Sequence, residues 1–328
     1  MVLNMNKCPD KIICSKCYKH LDISDLQPFD EFLCPGCGAK IKCPMLFERY
    51  YLMELCGIGG MSNVYRAFDP LENMTVAIKI TNENVFNPET EGERFTFEAD
   101  LVAKINHPGI VKVYRGGIYR NQPFLVMEFM KKGTLETLQR SFMLPPVEKI
   151  LNWLAVIADG LNAASKLGIV HHDVKPANIM LSEDGEVKIG DFDLAEINTD
   201  NNDSGSGDWA SIAYVSPERL QSGKEDFRGD IFSLGASTYE LLTGEYPFGN
   251  TGEIPELIER RMKFDFEPAH HLNSTVSAGI SDFINAMMSF DPAERPSYEE
   301  IVNMFSTNGK SGFSTSTGFF SKFRKGNQ

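Results

Sequence analysis

The stretch that decides the fold is His171–Met180, which reads HHDVKPANIM. Asp173, Lys175 two places on, and Asn178 three beyond that can set a base, a phosphate clamp and a metal ligand on one short loop. In that pattern Asp173 accepts the proton of an attacking hydroxyl, Lys175 neutralises a γ-phosphate and Asn178 binds Mg2+. G190-D-F-D193 follows, and Asp191 is a second Mg2+ ligand at the far end of a predicted hairpin, Ile179–Ile189, turning at Glu183-Asp184-Gly185. A lone Asp or Asn is ordinarily a cap or turn residue. The order in which these residues follow two upstream motifs argues otherwise.

The first of those motifs is Leu55–Tyr65, LCGIGGMSNVY. Gly57 and Gly59 let backbone N–H groups come close to phosphates, and Val64 can cover a base. Alone, such a turn fits an ordinary hairpin equally well. Eleven residues on comes V76-A-I-K79, a β-branched strand segment whose Lys79 can reach α- and β-phosphate oxygens. A lysine in such a place needs a counter-charge. Glu98 on the next predicted helix is the candidate, nine residues before His107-Pro108, with Glu91 and Glu93 as rivals.

The wider pattern has strands at Tyr50–Leu55, Val64–Phe68, Thr75–Ile80 and Phe124–Phe129. A helix over Glu91–Ile105 carries Phe97, Leu101 and Ile105 at i, i+4 and i+8. Helical periodicity then dominates: Val147–Leu167, Asp230–Thr243, Ile254–Lys263, Gly279–Ser289 and Ser297–Phe305. A strand-rich part followed by a helix-rich part predicts an α+β, two-lobed architecture with a cleft.

Residues 49–308, about four-fifths of the chain, resemble the protein kinases, closest to the eukaryotic-like Ser/Thr kinases common in bacteria. GIGGMSNVY, VAIK, Glu98, HHDVKPAN, DFD, S216-P-E218, D230-I-F-S-L-G235 and R295-P-S297 carry the likeness. It implies a bilobal kinase fold, with a small β-rich lobe and a larger helical lobe, and transfer of the γ-phosphoryl group of Mg-ATP to protein hydroxyls. It implies catalysis by Asp173, Lys175, Lys79 and Glu98. Nucleotide is then held by Gly57, Gly59, Gly60, Ser62, Val64, Ala77, Lys79, Met127, Glu128, Met130, Asn178, Met180 and Asp191, with Met127 guarding the back of the pocket and Glu128–Met130 as the hinge. Glu218 is expected to pair with Arg295, and Asp230 to hold the catalytic-loop backbone. Lys175 and Ser211 match Ser/Thr rather than Tyr specificity.

The chain departs from the family in three places. Ser62 replaces the third Gly of the turn, His172 stands where Arg is usual, and Asp193 replaces the Gly of D-F-G. The family Arg bonds a phosphate on the activation segment; a histidine is a poor bidentate clamp. Asn198–Asp208 (NTDNNDSGSGD) is already acidic. The expectation is activity without phosphorylation of Thr199, Ser204 or Ser206. Asp193 leaves three readings open: fewer inactive flips, disturbed Mg2+ geometry, or a tolerated turn residue. The alternative to an active enzyme is a catalytically degenerate scaffold that binds nucleotide and a protein partner.

All seven Cys lie in the first 56 residues. C14-S-K-C17 and C34-P-G-C37 are separated by sixteen residues, a spacing that builds two knuckles around one structural Zn2+, with Gly36 and Gly38 suiting the turns. Cys8, Cys43 and Cys56 have no matched partner in the sequence and read as small apolar residues. The expected organisation is a zinc-ribbon-like module over 1–47, a kinase domain over 48–308, and a flexible Ser/Thr-rich basic tail over 309–328.

The chain has 328 residues, 42% apolar, with a net charge of −13. That charge argues against broad nucleic-acid binding. Residues 1–48 hold six Lys and six Asp/Glu, so a protein partner for the zinc module ranks above nucleic acid. No apolar run reaches the ~18 residues of a spanning helix. A soluble, cytoplasmic protein is expected, with Ser/Thr-bearing proteins as substrates.

Overall fold

The computed structural model describes residues 8–82, 86, 88–192, 212–249, 259–260, 262–263 and 266–308. The chain divides into two units, one of residues 1–104 and 112–129, the other of 105–111 and 130–328.

The first unit opens with two like hairpins, β1 (Lys11–Ile13) with β2 (His20–Asp22), and β3 (Glu31–Leu33) with β4 (Lys40–Lys42). The turns between their strands repeat each other. The Tyr18 N–H donates to the Cys14 carbonyl and the Gly38 N–H to the Cys34 carbonyl, and residues 18 and 38 both have positive φ, at 59° and 67°. Cys8, Leu21, Ile23 and Cys43 are buried among the knuckle cysteines. Cys8 and Cys43 are joined by a disulfide across 35 residues of chain. Their burial agrees with the sequence reading, but their lack of a partner does not: spacing along the chain hides a pairing that the hairpins create.

β5 (Met45–Phe47) follows directly and forms the edge of an antiparallel sheet in the order β5-β6-β7-β8-β10-β9. Here β6 is Tyr50–Ile58, β7 Ser62–Asp69, β8 Met74–Thr81, β9 Val113–Tyr119 and β10 Gln122–Glu128. One face buries Leu52, Ala67, Val76, Ile78, Ile80, Phe124 and Val126. Period-2 alternation puts Val76, Ile78 and Ile80 on that face together. Phe47 closes it edge-to-face on Phe124, with centroids 5.3 Å apart.

α1 (Pro88–Ala103) packs on β9 and β10. Its inner face is Gly92, Glu98, Ala99 and Val102, while Phe97 is 67% exposed. The helix is where the periodicity predicted, but its face is turned by one to two residues. Gly116 on β9 explains this: a Cβ there would lie 2.3 Å from the Ala99 Cβ. The sheet therefore receives the helix at its smallest residues, and the larger Phe97 turns outward.

The second unit is mainly helical. α2 (Leu135–Arg140) is capped by Thr134 in a capping box with Thr137. α3 (Val147–Ser165) buries Ile150, Leu151, Leu154, Ile157, Ala158 and Leu161, an i, i+3, i+4 stripe. After the hairpin β11 (Ile179–Leu181) and β12 (Val187–Ile189) come α4 (Pro217–Ser222) and α5 (Phe227–Thr243). The latter is buried on all sides from Gly229 to Leu242, the mark of a central helix. α6 (Ala269–Leu272), α7 (Ala278–Met287) and α8 (Tyr298–Asn308) follow, with α5 packed on α3 and α7, and α8 on α3. Most of the helix expected over 254–263 lies outside the described residues, as do the tail and the acidic stretch 198–208.

Candidate active site and cysteine cluster

In the first unit, the β6–β7 turn carries the glycines. The Gly59 N–H donates to the Ser62 carbonyl at 2.9 Å, and a Cβ on Gly59 would sit 3.0 Å from that oxygen. Asn82, just past β8, braces the turn: its N–H donates to the Met61 carbonyl and its Nδ2 to the Gly60 carbonyl. Val64 pairs with Gly57 across the hairpin and with Lys79 on β8, and Met127 on β10 pairs with Ala77. The sheet thus gathers Gly57, Val64, Ala77, Lys79 and Met127 into neighbouring registers. Glu128 ends β10, and its Oε2 accepts from the Lys112 N–H at 3.3 Å.

Glu98 is buried on α1, but its bond is with Arg94 Nε at 2.7 Å, and its Oε2 has no hydrogen-bond partner. The counter-charge expected for Lys79 is engaged by Arg94 instead. An arginine one turn back on the same helix reaches this carboxylate at little entropic cost.

In the second unit, Asp173, Lys175 and Asn178 meet. Asp173 Oδ2 accepts from Lys175 Nζ at 2.8 Å and from Asn178 Nδ2 at 2.9 Å. The same Nδ2 donates to the Asp173 carbonyl at 2.8 Å. Pro176 starts a single 3-10 turn, Pro176–Asn178, that folds Asn178 back onto Asp173. The Gly190 N–H donates to the Asn178 carbonyl, tying the loop to Asp191, which sits at φ 66°. Met180 on β11 pairs with Lys188, and Met130 is buried. Asp193 and Ser211 lie outside the described residues.

The two histidines have different work. His171 is fully buried: its Nδ1 accepts from the Asp173 N–H at 3.3 Å, which leaves Nε2–H to donate to the Gly190 carbonyl at 3.0 Å. Those partners fix the neutral tautomer. Phe192 is buried against its ring, with centroids 4.5 Å apart. Asp230 on α5 accepts the N–H groups of His171 and His172, both at 2.8 Å. Burial pushes the Asp230 carboxyl up, while these amide donors pull it down. Glu218 and Arg295 form the expected pair, Nη1 and Nη2 each 2.7 Å from a carboxylate oxygen.

Sequence reasoning missed Arg94, Arg219 and Glu225. None stands in a motif; Arg219 and Glu225 act through contacts that only the fold creates, while Arg94 meets Glu98 one turn along the same helix.

The four knuckle cysteines form one cluster, every Sγ within 4.8 Å of the others. Cys14–Cys37 and Cys17–Cys34 are 3.7 and 3.6 Å apart, and the Gly36 N–H points at Cys34 Sγ. The backbone N–H groups of Cys17 and Lys16 pull the Cys14 thiol down to about 6, and that of Gly36 lowers Cys34. Cys56 is exposed on β6, apart from the cluster.

The model of the protein kinase domain matches residues 50–305. Serine/threonine-protein kinase PknL of Mycobacterium tuberculosis is 33% identical over 82% of this chain and 67% of its own length. Serine/threonine-protein kinase PknB of the same species is 33% identical over 76% of this chain, which spans 41% of that relative. Rad53 1-466, solved in complex with AMP-PNP, has the same fold at a TM-score of 0.67 and 24% identity, over 79% of this chain and 66% of that one. The chain therefore belongs to the protein kinase family, and its relatives set it among the serine/threonine-protein kinases. Among the described residues, no helix is long and apolar enough to cross a membrane.

Proposed function

We propose that the chain transfers the γ-phosphoryl group of Mg-ATP to Ser and Thr hydroxyls of proteins, with Asp173 as the base. The observation that carries this is the Asp173–Lys175–Asn178 constellation on one loop. Lys175 and Asn178 hold the Asp173 carboxylate in one orientation, so it meets an incoming hydroxyl without first having to order itself. Lys175 would shift toward the transferring phosphate as charge develops there. Asn178 and Asp191 are the residues that would hold Mg2+, which supplies charge neutralisation on the phosphates. Gly57, Gly59, Gly60, Ser62, Val64, Ala77, Met127, Glu128, Met130 and Met180 would line the nucleotide. Lys79 would hold its α- and β-phosphates, with Glu98 as its partner once released from Arg94.

The cysteine cluster suits Zn2+ on its donor chemistry: four sulfur donors in closed array, two of them acidified by backbone N–H groups. Such a site is structural, and it would make residues 1–47 a docking or regulatory arm for a protein partner, ahead of the kinase domain over 48–308 and the tail over 309–328. A cytoplasmic location fits this reading.

The test is transfer of labelled γ-phosphate to a generic basic protein and to the chain itself, with and without Mg2+, alongside metal analysis. Wild type should transfer label only with Mg2+, and Asp173→Ala should not. Label-free wild type that still binds ATP would instead support the scaffold reading.

A further inference from the structure

Glu225 is a buried carboxylate that no motif explains. Its side chain is 3% exposed, between α4 and α5, in a stretch (GKEDF) that reads as a plain polar loop. Its Oε1 accepts from His172 Nδ1 at 3.0 Å and from Arg219 Nη1 at 3.2 Å, and its Oε2 from Ser216 Oγ at 2.5 Å. An ionised carboxylate only accepts, so three donors from three places in the chain converge on it.

Each donor has a second role. His172 precedes Asp173 and has φ 66°, a left-handed conformation that costs energy for a non-glycine residue and persists only where its surroundings over-determine it. Its N–H is held by Asp230 Oδ1, its carbonyl accepts from Arg219 Nη1 at 2.6 Å, and its ring donates to Glu225. Ser216 caps α4, accepting from the Arg219 N–H. Glu225 thus joins the residue before Asp173 to the segment that leads into α4.

We propose that Glu225 is a positioning residue for the catalytic loop. It is an anion built into the chain, which holds residue 172, and through it Asp173, in place and ties both to the end of the activation segment. The inference rests on the kinase reading. It accounts for the histidine at 172: a single imidazole N–H suits one carboxylate oxygen that is shared with an arginine, where a longer guanidinium would crowd Arg219.

The experiment compares Glu225→Gln and Glu225→Asp with wild type in kcat and KM for ATP, per nucleotide-binding site. Backbone amide hydrogen exchange at residues 171–174 is measured in parallel. Glu225→Gln keeps the shape and loses the charge. It should lower kcat about tenfold to a hundredfold with KM for ATP unchanged, and speed exchange at residues 172–174. Glu225→Asp should fall between it and wild type. A merely structural role would reduce the count of binding sites and leave kcat per site intact, and that result overturns the proposal. Wild-type exchange rates in Glu225→Gln overturn it as well. If wild type itself transfers no phosphate, the enzyme reading fails, and the exchange measurement still decides whether Glu225 anchors the loop.

Discussion

The Glu98 carboxylate is held by Arg94, one turn back on its own helix, with Oε1 bonded at 2.7 Å and Oε2 left without a hydrogen bond in a buried place. A buried carboxylate oxygen without a partner is costly. A second cation is therefore favoured at Oε2 whenever one can reach it, and the active family arrangement supplies the strand lysine. Arg94 holds the carboxylate that the family arrangement gives to the strand lysine.

Removing the competitor should raise activity. Arg94→Ala is expected to speed phosphotransfer roughly twofold to tenfold, because an i,i+4 pair with a partly exposed arginine offsets the switch by a small free energy. Glu98→Gln should slow it. Initial rates at saturating ATP check both, and a slower Arg94→Ala protein would show that Arg94 supports Glu98 rather than diverting it.

The loop of Asp173, the glycine turn, the strand lysine and the paired cysteines were legible because each is local: the residues that act together lie within a few positions of one another. The Glu218–Arg295 pair came from resemblance, as its 77-residue separation carries no local signal. The edge strand Met45–Phe47 is only three residues long, too short for periodicity to register. The orientation of α1 depended on Gly116 and Ala99 meeting across the sheet. Cys8–Cys43 and the donors around Glu225 pair residue types that occur everywhere in sequences, so only the fold singles them out.

The cysteine module should depend on metal. Its buried residues beyond the ligands are few, Leu21, Ile23 and the Cys8–Cys43 bridge among them, too small a core to hold two hairpins. Purified chain is expected to carry one zinc, and Cys34→Ser to lose it. Limited proteolysis should then cut within residues 8–43 of the variant while the rest of the chain survives. Intact chain with no zinc and a protected module would remove the metal reading.

Arg295 has no side-chain exposure, and Glu218 neutralises it with two parallel bonds. The Ser289 and Arg228 carbonyls accept from the same guanidinium but carry no charge. Glu218→Ala leaves a buried cation unpaired and should destabilise the protein by about 3–5 kcal/mol. Glu218→Gln, which still accepts one bond, should cost less. Urea unfolding measures both; a loss under 1 kcal/mol for the alanine variant would mean that water reaches the guanidinium.

Glu240, buried on α5, sets a pH dependence of its own. Burial raises its carboxyl from 4.5 to about 7, against the Tyr214 hydroxyl, which donates to Oε2 at 2.5 Å. The folded state therefore keeps a proton that the unfolded chain has released between those two values. Where the folded protein binds more protons, stability falls as pH rises. The contribution is full below the unfolded value of 4.5 and is lost as pH climbs through about 7, by up to roughly 3 kcal/mol. Glu240→Gln keeps an acceptor for Tyr214 and removes the titration. It should be more stable than wild type at pH 8, and the advantage should shrink steadily to nothing by pH 4.5. Melting temperatures of the two proteins across that range check the sign, and a constant difference between them would show that the carboxylate stays ionised throughout.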